Sequence, residues 1–238
     1  MKAVILAGGL GTRLKPFTSV FPKPLLPIGE KSIIEIMIQH LKECGFNEVI
    51  IATNYKSHLF ENFFNNGSDF GIKIKISKEE EPLGTAGPLK LLRNELTEPF
   101  LVINGDILTT LDFRKLRDTH LNNDGKLTIA TKEMKIPFHY GIIKSDDDIL
   151  VTDIEEKPIV GAEINAGVYF MNPEMIDEIP EGRYDMTDLI KKMMDKKMRI
   201  LKHKIEEYWL DIGQVDSYEK AQRDIEKKGL FNNYKNEI

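Results

Sequence analysis

The chain has 238 residues, 41% of them hydrophobic, with a formal net charge of -5 at pH 7 and one cysteine, Cys44. That length fits one domain with a sizeable core. The acidic balance argues against a nucleic-acid partner, which asks for a broad basic face. No apolar run approaches the ~20 residues of a membrane span, and a lone cysteine rules out an internal disulfide and points to a reducing compartment.

The charge is uneven. Residues 1–29 hold Lys2, Arg13, Lys15 and Lys23 and no acid, giving +4, while the remainder carries 29 basic and 38 acidic residues, giving -9. A basic opening on an acidic chain suits a small anionic ligand. The first residues lead straight into a core strand, so a cytoplasmic protein without a signal peptide is expected.

Val4 to Ala7 is wholly apolar, as in a central strand covered on both faces. It empties into Gly8-Gly9-Leu10-Gly11-Thr12-Arg13. Glycines there let backbone N–H groups close around an anion. Arg13 can grip two phosphate oxygens through its planar fork, and Lys23, set between Pro22 and Pro24, is a positioned point charge. No Gly-Lys-Ser/Thr follows, which excludes a Walker A loop. Counting from Gly9, the third glycine of a dinucleotide fingerprint would fall on Leu14, which excludes that motif too.

Ser32-x-x-Glu35 predicts a capping box for a helix that turns Ile33, Ile34, Met37, Ile38, Leu41 and Cys44 inward and stops at Gly45. Val49 to Ala52 reads as a second buried strand, Ser57 as the opening of a helix that buries Leu59, Phe60, Phe63 and Phe64 and ends at Asn66-Gly67, and Ile72, Ile74 and Ile76 as an alternating third strand. The pattern predicts an α/β layered sheet with helices on both faces. In Glu80-Glu81-Pro82-Leu83-Gly84-Thr85-Ala86-Gly87-Pro88, Thr85 is expected to cap a helix. Gly84 would let a flat ring approach the backbone, with a nearby carboxylate accepting from base N–H donors.

Phe100 to Asp106 repeats the opening with opposite charge, as a buried strand delivers one carboxylate to the carboxyl edge of the sheet, where open α/β sheets bind ligands. Beside a phosphate loop, Asp106 suits Mg²⁺, which takes one or two carboxylates and completes its shell with phosphate oxygens and water. Asp112 is left to cap the next helix. Tyr140 to Ile143 and Ile149 to Ile154 read as a hairpin with a solvated tip at Asp146-Asp147-Asp148. Asp185-Met186-Thr187-Asp188 starts a helix, and Asp216 is expected to cap the last one. Asp211, in Trp209-Leu210-Asp211-Ile212-Gly213, would complete a cation site with Asp106. Residues 231–238 are expected to fray.

Taken together, Leu6-Ala7-Gly8-Gly9-Leu10-Gly11-Thr12-Arg13-Leu14, Pro22-Lys23-Pro24, Leu83-Gly84-Thr85-Ala86, Gly105-Asp106, Glu156-Lys157-Pro158, Asn165-Ala166-Gly167 and Trp209-Leu210-Asp211-Ile212-Gly213 resemble the motifs of the sugar-1-phosphate nucleotidyltransferases, in that family's order, over residues 1–225. Within the family, residues 81–89 look most like the catalytic domain of the GDP-mannose pyrophosphorylases.

The resemblance implies a Rossmann-like three-layer sandwich with a mixed, mostly parallel sheet. It implies one nucleotidyltransferase domain over residues 1–230, with a nucleotide-binding half to about 110 and a sugar-binding half beyond. Leu6, Ala7, Gly8, Gly9, Gly11, Thr12, Glu81, Gly84 and Thr85 would hold the nucleotide. Arg13 would bind the departing pyrophosphate, Lys23 the α-phosphate, and Asp106 and Asp211 a Mg²⁺ ion. Tyr140, Gly141, Glu156 and Asn165 would line a sugar pocket, with Lys157 on the sugar phosphate.

The implied reaction moves a nucleotidyl group from a nucleoside triphosphate to a sugar 1-phosphate and releases pyrophosphate. GTP with a mannose-like or heptose-like sugar is the first expectation. The alternatives are dTTP or UTP with glucose 1-phosphate, a cytidylyltransferase acting on a non-sugar phosphate, and a non-catalytic homologue that binds nucleotide sugars. Neither nucleic acid nor membrane is an expected partner, and monomer and homo-oligomer both stay open.

Overall fold

The computed structural model describes residues 1–54, 56–147, 149–228 and 230–231. The expected fraying tail falls, from residue 232 on, outside the described residues, as does Asp148 of the acidic hairpin tip. No helix among the described residues is long and apolar enough to cross a membrane.

The chain alternates strands and helices from its start. The apolar opening forms β1 (Lys2–Leu6). A short helix α1 (Phe17–Val20) and a two-residue ribbon, β2 (Pro27–Ile28) with β3 (Lys31–Ser32), follow it. Helix α2 (Ile33–Glu43) starts on the expected capping box: Glu35 N donates to Ser32 Oγ at 3.3 Å, and Ser32 N donates to Glu35 Oε2 at 2.7 Å. Strand β4 (Glu48–Thr53), helix α3 (Ser57–Phe64) and strand β5 (Lys73–Lys78) complete the first unit.

Next come α4 (Gly87–Lys90), β6 (Phe100–Asn104), β7 (Ile107–Thr109) and α5 (Phe113–Asn122), which Asp112 caps as expected by accepting from Arg114 N. Two long strands, β8 (Leu127–Pro137) and β11 (Ile159–Met171), flank the hairpin of β9 (Ile142–Ser145) and β10 (Val151–Glu155). Asp147 Oδ1 closes that hairpin by accepting from Ile149 N and Leu150 N. Helix α6 (Met186–Asp195), strands β12 (Ile200–Lys204) and β13 (Trp209–Asp211) and helix α7 (Val215–Lys228) finish the chain.

Two expected caps are replaced. Thr85 does not cap α4, whose N-cap is Ala86; its hydroxyl accepts from Met186 N at 2.7 Å instead. Asp216 lies inside the first turn of α7, and Ser217 Oγ takes the bond from Gln214 N at 3.1 Å.

The central sheet has seven strands in the order β12-β8-β11-β6-β1-β4-β5. It is mixed and mostly parallel: β11 alone runs against its neighbours β6 and β8, and the other four pairings are parallel. Alternate residues of each central strand enter opposite layers. Ile5, Ile51, Ile103 and Phe170 pack with Ile34, Ile38, Phe60 and Phe113 on one face. Val4, Ile50, Val102 and Met171 pack with Leu89, Ile176 and Leu189 on the other. This is the three-layer α/β sandwich expected for the chain.

A third apolar cluster matters most for the site. It joins Leu14, Leu26, Ile28, Ile33, Leu108, Ile212 and Ala221. Leu14 follows Arg13, Leu108 lies two residues past Asp106, and Ile212 follows Asp211. Fixing these three apolar side chains in one cluster fixes the charged neighbours around one space.

Candidate functional site

Strands β1 and β6 are parallel neighbours, with Leu6 opposite Asn104. The glycine loop and Asp106 therefore leave the same edge of the sheet. Gly105 N donates to Leu6 O at 2.9 Å. A Cβ at Gly105 would sit 2.9 Å from Leu6 O and 3.1 Å from Pro24 Cγ, so the turn closes this tightly because residue 105 has no side chain.

Between the loop and the turn opens a cavity of about 450 Å³. Leu6, Ala7, Gly8, Gly9, Gly11, Thr12, Arg13, Lys23, Gly84, Thr85 and Asp106 of the sequence-derived site all line it. Gly11 holds φ +60°, and Thr18 Oγ1 donates to its carbonyl at 2.8 Å, which fixes the loop's shape. Lys23 is buried, and its Nζ lies 2.6 Å from Asp106 Oδ2.

Asp211 reaches the same region through β13, which pairs antiparallel with β7 and sets Asp211 opposite Ile107. Ile212 N donates to Asp106 O at 2.9 Å. A Cβ on Gly213, which lines the cavity, would lie 3.1 Å from Asp211 Oδ1. The residue is exposed, yet its carboxyl is crowded by protein. Partial desolvation and then the Asp106 charge push that carboxyl up from its ordinary value, while Lys23 and Arg13 pull it down. Two carboxylates and two cations thus share one electrostatic locus.

The carboxylate at the far wall is Glu79, which the sequence reading missed. Glu81 is exposed and is not part of the cavity lining. Glu79 is buried; its Oε2 accepts from Leu83 N at 3.0 Å, and a Cβ on Gly8 would lie 2.8 Å from Oε1. Burial pushes its carboxyl up, against the pull of the Leu83 N–H. The alternation Ile72, Ile74, Ile76 gave the strand but not where it ends. Glu79 N still donates to Thr53 O at 2.9 Å, one residue past the end of β5, and this turns its side chain into the cavity.

Arg183 and Asp185 also line the cavity. Asp185 Oδ1 accepts from Thr85 N at 3.1 Å and from Thr85 Oγ1 at 3.4 Å, and makes no side-chain capping bond to α6. With Met186 N donating to Thr85 Oγ1, the two segments clasp each other across a hundred residues of chain. The expected helix start at Asp185 was the available signal.

Tyr140, Gly141, Glu156 and Lys157 lie outside the cavity lining, in the exposed region around β9 and β10. They gather with one another: Lys157 Nζ is 3.8 Å from Glu156 Oε1, and Glu156 Oε2 lies 3.0 Å from where a Gly141 Cβ would be. Asn165 is nearer the cavity. Its Oδ1 accepts from Gly167 N at 3.0 Å, and Gly167, at φ +69°, packs closely on the amide of Asn104, a lining residue.

The chain is similar to known proteins. The nucleotidyl transferase family matches residues 2–228. Mannose-1-phosphate guanyltransferases of Kluyveromyces lactis and Saccharomyces cerevisiae are 37% and 36% identical over 226 residues, 92% of this chain. The chain spans about 63% of the length of these relatives. The crystal structure of HddC from Yersinia pseudotuberculosis is similar at 29% identity and a TM-score of 0.75, covering 94% of this chain and 99% of that one. A second HddC structure, complexed with GMP-PN, matches with a TM-score of 0.73, 29% identity and coverage of 94% and 99%. On the match across residues 2–228, this chain belongs to the nucleotidyl transferase family.

Proposed function

We propose that this protein transfers a guanylyl group from GTP to a mannose-like or heptose-like sugar 1-phosphate. A phosphate oxygen of the sugar attacks the α-phosphorus; the bond to the β-phosphate breaks, and pyrophosphate departs. The observation that carries this reading is the clustering of Lys23, Asp106, Arg13 and the Gly8-Gly9-Gly11 loop around one cavity, with Asp211 beside Asp106. The names of the guanyltransferase relatives and the GMP-PN complex of HddC support guanine over the other bases.

The nucleophile is a phosphate whose second pKa is near ~6, so it is largely ionised at neutral pH without a general base. What remains is repulsion between polyanions and their alignment. Lys23 would hold the α-phosphate, Arg13 the departing pyrophosphate, and the loop N–H groups the remaining oxygens. Asp106 and Asp211 would hold Mg²⁺. The donor set fits a hard cation, since it offers carboxylates and one already holds an ammonium at 2.6 Å. When bound, that ion supplies charge neutralisation at the phosphates. We assign residues 1–230 to one catalytic domain, with the base read near Glu79 and Gly84 and the sugar held from the side of Asn165, Glu156 and Lys157.

Guanine presents adjacent N–H donors that a buried carboxylate can accept. Glu79→Gln is expected to lower kcat/KM for GTP roughly 10- to 100-fold, the scale of a charged hydrogen bond, and to narrow the preference over ATP. An unchanged GTP/ATP ratio would remove Glu79 from base recognition. Lys157→Ala is expected to raise KM for the sugar 1-phosphate by a similar factor; an effect confined to KM for the nucleotide would refute that assignment. A thermal-shift screen of the four nucleoside triphosphates, repeated with sugar 1-phosphates, tests the substrates directly, because stabilisation grows with ligand concentration over Kd. GTP is expected to give the largest shift.

A further inference from the structure

Lys23 already gives Asp106 a positive partner. Its side chain is 9% exposed, and its Nζ is 2.6 Å from Asp106 Oδ2. The stem has little room to swing. Lys23 opens a turn over Lys23–Leu25, and Leu26 N donates to Lys23 O at 3.0 Å. Lys23 Cβ lies 3.2 Å from where a Gly11 Cβ would be, and Pro24 packs on Gly105. The lysine is wedged between the phosphate loop and the turn that carries Asp106. From that anchor its ammonium meets the Asp106 carboxylate. An ammonium hydrogen-bonded this closely to Asp106 Oδ2 also obstructs that oxygen as a metal ligand.

Resting on the reading of Asp106 and Asp211 as cation ligands, we propose that Lys23 is a resident counter-ion that is exchanged on substrate binding. In the free protein it neutralises Asp106. On loading, the ammonium moves to the α-phosphate and the divalent cation takes its place on the carboxylate. Each newcomer alone leaves a charge stranded. The metal alone displaces an ammonium with no phosphate in the cavity to receive it. The nucleotide alone draws the lysine off and leaves Asp106 bare beside Asp211. Together they satisfy both. Metal and nucleotide affinity are therefore coupled through one side chain, and linkage makes that coupling reciprocal, typically about 5- to 150-fold. Lys23 thus couples the loading of metal and nucleotide, in addition to gripping a phosphate.

The test is a titration of Mn²⁺ with the protein, followed by the electron paramagnetic resonance of the free ion, with and without GMP, which carries an α-phosphate and chelates Mn²⁺ weakly by itself. Wild type is expected to bind Mn²⁺ alone weakly and about 10-fold more tightly with saturating GMP. Lys23→Met, which keeps the stem and removes the charge, is expected to bind Mn²⁺ alone about 10-fold more tightly than wild type and to gain less from GMP than wild type does. Lys23→Gln should behave the same way and serves if the Met variant does not fold. Lys23→Arg should stay like wild type. Lysine variants that bind Mn²⁺ no more tightly than wild type, while Asp106→Asn abolishes binding, would overturn the exchange and leave the cation assignment standing. Unaltered Mn²⁺ binding in both Asp106→Asn and Asp211→Asn would overturn the cation assignment itself, and the exchange with it.

Discussion

Asp106→Asn and Asp211→Asn should each lower turnover by ~10²- to 10³-fold, on the scale of removing one preorganised group that stabilises transition-state charge. They should differ in stability. Asp106 is bonded to a buried ammonium at 2.6 Å. Its amide would leave Lys23 without its counter-charge, so Asp106→Asn should melt at a lower temperature than wild type. Asp211 is the reverse case. Desolvation and the neighbouring Asp106 hold its carboxyl above the ordinary range. The native protein therefore binds a proton there more readily than the unfolded chain does. Stability is gained as pH falls through the raised pKa, and above it the ionised group is a cost. An amide removes that cost, so at neutral pH Asp211→Asn should melt at the same temperature as wild type or higher. Steady-state kinetics at limiting Mg²⁺ and calorimetric melting check both halves. Wild-type rates in the two variants would refute the metal role. A lowered Tm in Asp211→Asn would refute the electrostatic crowding.

The second large effect is expected at Gly84. It holds φ +80°, where a Cβ would lie 2.6 Å from Tyr184 O and 2.6 Å from Asp185 Oδ1. Left-handed backbone costs a non-glycine residue about 1–2 kcal/mol, and forcing apart a packed contact costs a further ~1–3 kcal/mol. The clashing atom at Tyr184 is backbone, so it cannot swing away. The same carbonyl accepts from Ala86 N at 2.9 Å and Gly87 N at 3.0 Å. Gly84→Ala must therefore push the 83–87 segment off the 183–186 segment, undoing the Thr85–Asp185 clasp. Stability should fall by ~2–5 kcal/mol, read as a shift of the urea midpoint at constant slope. Nucleotide affinity should fall with it, because both segments wall the cavity. A variant that keeps the wild-type midpoint would mean that the clasp does not hold these segments together.

What the sequence revealed divides along physical lines. Where chemistry follows a strand directly, it could be read: the run from Val4 to Ala7 and the run from Phe100 to Asn104 each carry polar residues out at one sheet edge, and parallel pairing brings the two ends together. The capping box at Ser32 and the cap at Asp112 were legible because both bonds are local. Glu79 escaped because three consecutive glutamates, Glu79, Glu80 and Glu81, differ only in which way the chain turns after β5. That choice is made by Leu83 N and Thr53 O, not by residue type.

Arg183 and Asp185 escaped because their approach to Gly84 is tertiary, across a hundred residues. Thr85 looked like the cap of one helix, and Asp185 like the start of another. In the folded chain Asp185 accepts from Thr85, and Thr85 in turn accepts from Met186, the first residue of α6. Tyr140, Gly141, Glu156 and Lys157 were grouped from motifs alone and do gather in space, but on the exposed region of β9 and β10 rather than on the cavity wall.

The most direct test of the proposed activity is pyrophosphate release on mixing the purified protein with GTP, Mg²⁺ and mannose 1-phosphate. The expected result is release that needs all three and yields one GDP-sugar per pyrophosphate. Release that proceeds equally without the sugar phosphate, or no release with any sugar 1-phosphate, would contradict nucleotidyl transfer to a sugar.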